Sequence, residues 1–202
     1  MKKLLILIIL INLNCYKNLF AIEKKYNPDP SLFISELVND AINILGNKSL
    51  TDEVKSKFIK DIALNNVDIE ALGMYTLGDI RKTLDPSNIE KYNNLFKDYF
   101  LKSLTSRLSD YSNNKFEVIG AEQKSAKYTI VNSKVLANND KPEIKIDWRV
   151  YTKNPNSPLI RDLIVEGLSL ARTQKEEFAS ILDSNNNDIN YLFKKLEEFN
   201  TN

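Results

Sequence analysis

The chain has 202 residues, with 28 basic and 27 acidic side chains and a formal net charge of +1 at pH 7. It contains no histidine, which excludes a Ser-His-Asp triad, a Cys-His pair and a His-ligated metal site. The near-neutral charge does not favour nucleic-acid binding, and the five glycines lack the spacing of a phosphate-binding loop. We therefore expect a protein that is not an enzyme and uses no cofactor or metal.

The N-terminus has the pattern of a secretory signal peptide. Two lysines precede an apolar run that begins at Leu4 and covers about ten residues, fewer than the roughly twenty needed to span a bilayer. Cleavage after Ala21 would leave 25 basic and 27 acidic residues, a net charge near minus two. The only cysteine, Cys15, is not preceded by the small residues of a lipidation motif. The sequence thus predicts a signal peptide over 1–21 and one domain over 22–202.

Apolar residues at helical spacing predict several helices before the first strand. One begins near Phe33 and ends at Gly46, and a second follows the capping residue Thr51 and ends near Asn66. Shorter helices follow, and Asp68 is placed to cap the first of them.

The longest predicted helix begins after a proline and runs for about twenty-five residues. Its apolar and aromatic stripe consists of Ile89, Tyr92, Leu95, Phe96, Tyr99, Phe100, Leu104, Leu108 and Tyr111. Judged from the residues alone, such a stripe favours plain core over a ligand-binding wall.

Four segments after this helix carry the pattern of β-strands. They cover Lys115–Gln123, Ser125–Ala137, Glu143–Lys153 and Leu159–Val165. In the third segment Ile144, Ile146, Trp148 and Val150 alternate with polar residues, which is typical of a strand with one apolar face. Short links rich in turn formers predict an antiparallel meander. The fold class is therefore α+β, with a four-stranded antiparallel sheet covered by helices.

The last strand leads into a helix through a short motif around Gly167, where we expect a positive φ or close packing. Residues 162–170, with the sequence DLIVEGLSL, are followed by Arg172, Gln174 and Phe178. This segment resembles the C-terminal signature of the MlaC, or toluene-tolerance, auxiliary proteins. A second similarity covers Asp68, Ile69–Leu72, Leu77, Gly78 and Arg81, which resemble the family's run of an Asp, a short helix, Leu-Gly and an Arg.

The resemblance extends over roughly residues 33–199 and implies both a fold and a function. Members are periplasmic carriers that move phospholipid between an inner-membrane ABC transporter complex and an outer-membrane lipoprotein complex, which maintains outer-membrane lipid asymmetry. It implies an NTF2-like sheet curled around helices and an apolar cavity. The residues expected to line this lipid-binding pocket are Leu72, Leu77, Ile80, Phe96, Tyr99, Phe100, Leu104, Val118, Tyr128, Ile130, Ile144, Ile146, Trp148, Val150, Leu163 and Val165.

Two other classes of protein remain open on the sequence. An NTF2-like enzyme would hold an Asp or Glu with a raised pKa in an otherwise apolar cavity, beside a tyrosine. A periplasmic adaptor that carries nothing would have a filled core and a large exposed apolar patch. The sequence does not separate residues that line a cavity from residues of a solid core, because both are apolar.

Overall fold

The computed structural model describes residues 25–108, 115–138 and 141–201. The predictions for the signal peptide, for Cys15 and for Tyr111 concern residues outside these ranges. None of the described helices is long and apolar enough to cross a membrane.

The described part of the chain contains six α-helices, one 3-10 helix and five strands. The helices are α1 (Pro30–Gly46), α2 (Asp52–Asn66), α3 (Ile69–Thr76), the 3-10 helix (Gly78–Lys82), α4 (Pro86–Leu108), α5 (Leu170–Asp183) and α6 (Ile189–Thr201). The strands are β1 (Phe116–Ser125), β2 (Tyr128–Val135), β3 (Ile144–Tyr151), β4 (Leu159–Val165) and β5 (Leu168–Ser169). This layout confirms the predicted α+β class and the four main strands.

Side-chain caps explain where several of these helices begin. Thr51 accepts a hydrogen bond from the backbone of α2, Asp68 from that of α3, and Ser169 from that of α5. Each cap satisfies a backbone N–H in the first turn that has no partner within the helix. The predicted capping role of Asp68 is confirmed.

The sheet is antiparallel throughout, and its strands lie in chain order from β1 to β5. The fifth strand was not predicted. Glu166 and Gly167 form the two-residue turn between β4 and β5, with φ values of +49° and +82°. Positive φ at both central residues is the requirement of a tight type I′ hairpin turn. The expected positive φ at Gly167 is confirmed.

One face of the sheet packs against α1 and forms what we call the sheet cluster. Its buried members are Tyr26, Phe33, Ile34, Leu37, Val131, Trp148, Val150 and Ile160. The indole N–H of Trp148 donates to Ser133 Oγ at 2.8 Å, so its polar atom is satisfied inside the cluster.

The helices α3 to α6, with one residue of α2, form a separate helical cluster. Its buried members are Ala63, Ile69, Leu72, Leu77, Tyr92, Phe96, Leu101, Ala171, Phe178, Leu182, Ile189, Leu192, Phe193 and Leu196. The rings of Tyr92 and Phe96 stack with centroids 5.8 Å apart, and Phe178 meets both edge-on. The described part of the predicted stripe, from Ile89 to Leu104, therefore forms part of a dense aromatic core.

Candidate functional site

A groove of about 690 Å³ lies between α3 and the sheet. Tyr75 of α3 forms one wall, and the opposite wall consists of strand residues. The groove is lined by Tyr75, Glu122, Lys124, Ser125, Tyr128, Ile130, Asn132, Asp147, Arg149 and Ile164. This volume lies within the range of about 300–1,000 Å³ that is typical of small-molecule sites.

Strand alternation places these residues on the face of the sheet opposite α1. Residues paired directly across antiparallel strands share a face, and successive residues of one strand alternate between faces. Ile130 pairs with Arg149 on one side and with Glu122 on the other, whereas its neighbour Val131 pairs with the buried Trp148. The groove face is therefore distinct from the face that packs on α1.

The charged side chains that line the groove have polar partners. Lys124 Nζ lies 2.5 Å from a carboxylate oxygen of Glu122. Asn132 Nδ2 donates to Asp147 Oδ1 at 2.8 Å, and Arg149 Nη1 lies 3.6 Å from the buried carboxylate of Asp162. With two acidic and two basic residues, the lining has no formal net charge.

A polar network around Arg161 joins the start of α3 to the sheet beside the groove. Arg161 Nε and Nη2 lie 2.8 and 2.6 Å from Asp68 Oδ2, and Nη1 donates to the hydroxyl of Tyr128 at 2.8 Å. The guanidinium lies 3.5 Å from the ring centroid of Tyr151. Asp68 N also donates to Ile160 O at 2.9 Å. These contacts fix the distance between the first turn of α3 and β4.

The pKa of Arg161 reflects this network. Partial burial lowers the pKa of the guanidinium, but hydrogen bonds with Tyr128 and Asp68 and the charge of Asp68 outweigh burial and raise it overall. Arg161 is therefore a permanent cation, and its fork of donors holds Asp68 and Tyr128 together.

A second cavity, of about 550 Å³, lies between the N-terminal parts of α3 and α4. Ile69, Leu84 and Ile89 provide apolar surface, whereas Glu70, Glu90 and Lys97 provide charges. Within the described residues, no group of three or more Cys, Asp or Glu side chains could hold a metal ion in either cavity.

The model of the family described as MlaC protein matches residues 35–198. The chain belongs to this family. Among solved structures, the chain is similar to a phospholipid-binding protein from Ralstonia solanacearum, whose structure is a complex with a phospholipid. The TM-score is 0.68 at 21% sequence identity, and the match covers 83% of this chain and 94% of the Ralstonia chain. The resemblance found in the two sequence motifs is thereby confirmed, as is the α+β fold with a curled antiparallel sheet.

The structure distributes the sixteen predicted pocket residues of this MlaC-family chain over four places. Leu72, Leu77, Ile80, Phe96, Tyr99, Phe100 and Leu104 belong to the helical cluster or pack against it. Val118, Ile146, Trp148, Val150 and Leu163 belong to the sheet cluster or pack against it. Tyr128 and Ile130 line the groove. Ile144 and Val165 are half-buried at the same end of the sheet, where Ile144 pairs with Val135 and Val165 with Ile146.

Several groove residues were not singled out from the sequence. Tyr75 and Ile164 are apolar positions that the periodicity of a short helix and a short strand does not distinguish from core. Asn132, Asp147 and Arg149 occupy the polar positions of alternating strands, which the pattern assigns to a solvated face. The alternation of residues along the strands was the available signal for these groove residues, because it defines a second face of the sheet that α1 does not cover.

Proposed function

We propose that this chain is a periplasmic phospholipid carrier that moves lipid between outer-membrane and inner-membrane transport complexes and so maintains outer-membrane lipid asymmetry. The observation that carries the proposal is the family match over residues 35–198. The ligand class is supported by the Ralstonia relative, which has the same fold and was solved in complex with a phospholipid.

We place the lipid in the groove between α3 and the sheet, with its head group at the solvent edge. Ile130, Ile164 and the ring of Tyr128 offer apolar contact for acyl chains, and Tyr75 offers the facing wall. Leu72 lies on the same short helix as Tyr75 and contributes to the helical cluster. A shift of α3 would thus extend the groove toward the predicted pocket residues of that cluster.

The energetics explain why phospholipid needs a carrier in water. Two acyl chains contain about thirty methylenes, and each is worth roughly 0.8 kcal/mol against water, so about 24 kcal/mol opposes free diffusion. An apolar site offsets most of this cost. Exchange between a membrane complex and the carrier then requires no chemistry from this chain.

The groove carboxylates favour a carrier over an enzyme. An NTF2-like enzyme would need an acid or base without a strong partner in an apolar cavity. Glu122 instead lies against Lys124, and Asp147 accepts a hydrogen bond from Asn132. Both carboxylates are held as acceptors by neighbouring side chains.

Native mass spectrometry of the exported protein, combined with lipid extraction, tests the proposal. We expect one diacyl phospholipid per chain and a mature N-terminus near Ile22. A protein that carries no lipid from cells and takes up none from phospholipid vesicles contradicts the carrier function. A retained N-terminus, or a diacylglyceryl group on Cys15, contradicts the predicted processing.

A further inference from the structure

A half-buried lysine lies beside the groove wall without a carboxylate partner. Lys175 of α5 places its Nζ 5.3 Å from the ring centroid of Tyr75, the residue that forms the helical wall of the groove. Within the part of the chain that the structure describes, no carboxylate oxygen lies within 4.0 Å of this ammonium group. Its three donors are therefore available to a ligand.

The aliphatic part of Lys175 passes close to Gly78, the first residue of the 3-10 helix. A Cβ atom built at Gly78 would lie 3.5 Å from Lys175 Cε, so any side chain larger than that of glycine at position 78 would contact the lysine stem. The aromatic ring of Tyr75 attracts the ammonium group of Lys175. These two neighbours position the cation beside Tyr75, which lines the groove.

Lys175 also belongs to a group of three cations around Asp79. Asp79, at the start of the 3-10 helix, lies 2.7 Å from Lys82. A hydrogen bond from Lys82 lowers the pKa of Asp79, and the charges of Lys82, Arg81 and Lys175 lower it further. Lys82, Arg81 and Lys175 therefore act on the single carboxylate of Asp79. The residues that line the groove, by contrast, have a net charge of zero.

A partly apolar groove, with a lysine beside its wall that makes no ion pair within the described residues, fits an anionic amphiphile. We infer that Lys175 is the phosphate contact of the bound lipid, a role that rests on the proposed carrier function. A phosphodiester carries one negative charge and strong acceptor oxygens, which complement a lysine ammonium. Because every diacyl phospholipid has this phosphate, the contact distinguishes phospholipids from neutral diacylglycerols and leaves the outer part of the head group unselected.

Calorimetric titration with two short-chain ligands tests the inference. The exported protein, stripped of lipid, is titrated with dihexanoyl phosphatidylglycerol and with dihexanoyl glycerol, which lacks the phosphate. For Lys175→Gln we expect the affinity for the phospholipid to fall about five- to tenfold, as for a partly exposed charge-assisted contact, with no change for dihexanoyl glycerol. Lys175→Arg keeps the charge and should retain most of the affinity.

Lys60→Gln is the matched control, because Lys60 is also half-buried and lies on α2, away from the groove lining. It should leave both affinities unchanged. Equal phospholipid affinity of wild type and Lys175→Gln overturns the inference while the carrier function stands. An equal loss for both ligands also overturns it, because the substitution would then have altered the groove's shape. Failure of the wild type to bind either ligand overturns the carrier function and the inference with it.

Discussion

The two faces of the sheet allow a paired substitution that locates the ligand. Ile130 lies in the groove, whereas Ile146 packs against the sheet cluster beneath α1. We expect Ile130→Glu to give a folded protein that carries no lipid, because acyl chains cannot offset the burial of a carboxylate beside them. We expect Ile146→Glu to destabilise the fold itself.

The magnitudes follow from the surroundings of each residue. Removal of Ile146 from the sheet cluster forfeits about 2 kcal/mol of apolar burial, and the partly buried carboxylate costs at least as much again. A loss of about 4 kcal/mol is a large fraction of the 5–15 kcal/mol that stabilises an ordinary domain. At position 130 the new carboxylate would lie between Arg149 and Glu122, so attraction and repulsion offset each other. The remaining cost is the lost apolar contact of the half-buried Ile130, about 1 kcal/mol.

Two measurements on each variant decide the outcome: lipid phosphate per mole of purified protein, and the free energy of unfolding in urea. Ile119→Glu is the control, because Ile119 is 63% exposed on β1 and does not line the groove. It should change neither quantity. Lipid at wild-type stoichiometry in Ile130→Glu refutes the groove as the binding site. A folded, lipid-free Ile146→Glu would place the ligand on the α1 side of the sheet.

Three further predictions concern stability. Gly167→Val should lower the free energy of unfolding by about 1–2 kcal/mol, because φ is +82° at this position. The loss should not be larger, because no atom lies near enough to clash with the new side chain. Burial raises the pKa of both Tyr26 and Tyr92 in the folded protein, so above pH 10 these tyrosines ionise only in the unfolded chain. The free energy of unfolding should therefore fall by about 1.4 kcal/mol per pH unit for each of them. Arg161→Gln should cost about 2 kcal/mol in urea unfolding, because Asp68 loses its charged partner.

Each of these predictions has its own control. In Gly120→Ala the added Cβ would meet no atom within 4 Å, and φ at this position is not in the positive region that disfavours alanine. This substitution should therefore leave stability nearly unchanged. Replacement of either tyrosine by phenylalanine should reduce the alkaline slope, and an unchanged slope contradicts the assignment. Arg172→Gln removes an exposed pair with Glu176 and should change stability by less than about 0.5 kcal/mol. A similar effect for Arg161→Gln would show that its network is dispensable.

The sequence predicted the elements of this fold well because their patterns are local. Helical periodicity and caps located the long helices, and alternation located the four main strands. It missed β5, because a two-residue strand has no periodicity and its turn depends on a positive φ at Glu166, a residue type that gives no such signal. The motif around Gly167 indicated the turn but not the extra strand.

The residues of the groove were harder to predict, for a physical reason. The clearest apolar alternation in the chain, from Ile144 to Val150, marks a face that needs cover, and α1 covers it. A groove for an amphiphile must be apolar in part and polar in part, so its residues alternate less cleanly than those of a core. Ile130 and Arg149 are paired neighbours in that groove, yet periodicity assigns one to a core and the other to solvent.

The helix α3 connects these observations, because it is held closely at its start and along one side. The Arg161 network fixes its first turn to the sheet through Asp68. A Cβ at Gly73 would lie only 2.9 Å from Phe96 Cδ1, so the glycine allows α3 to approach α4 more closely than any other residue would. The far end, which carries Tyr75 toward the groove, has no comparable charged link to the sheet among the described residues, and the buried Thr76 Oγ1 ties it instead to α4, 2.9 Å from the hydroxyl of Tyr92. We therefore expect that a lipid that needs more room moves the end of α3 that bears Tyr75 away from the sheet together with α4, while the end capped by Asp68 stays in place.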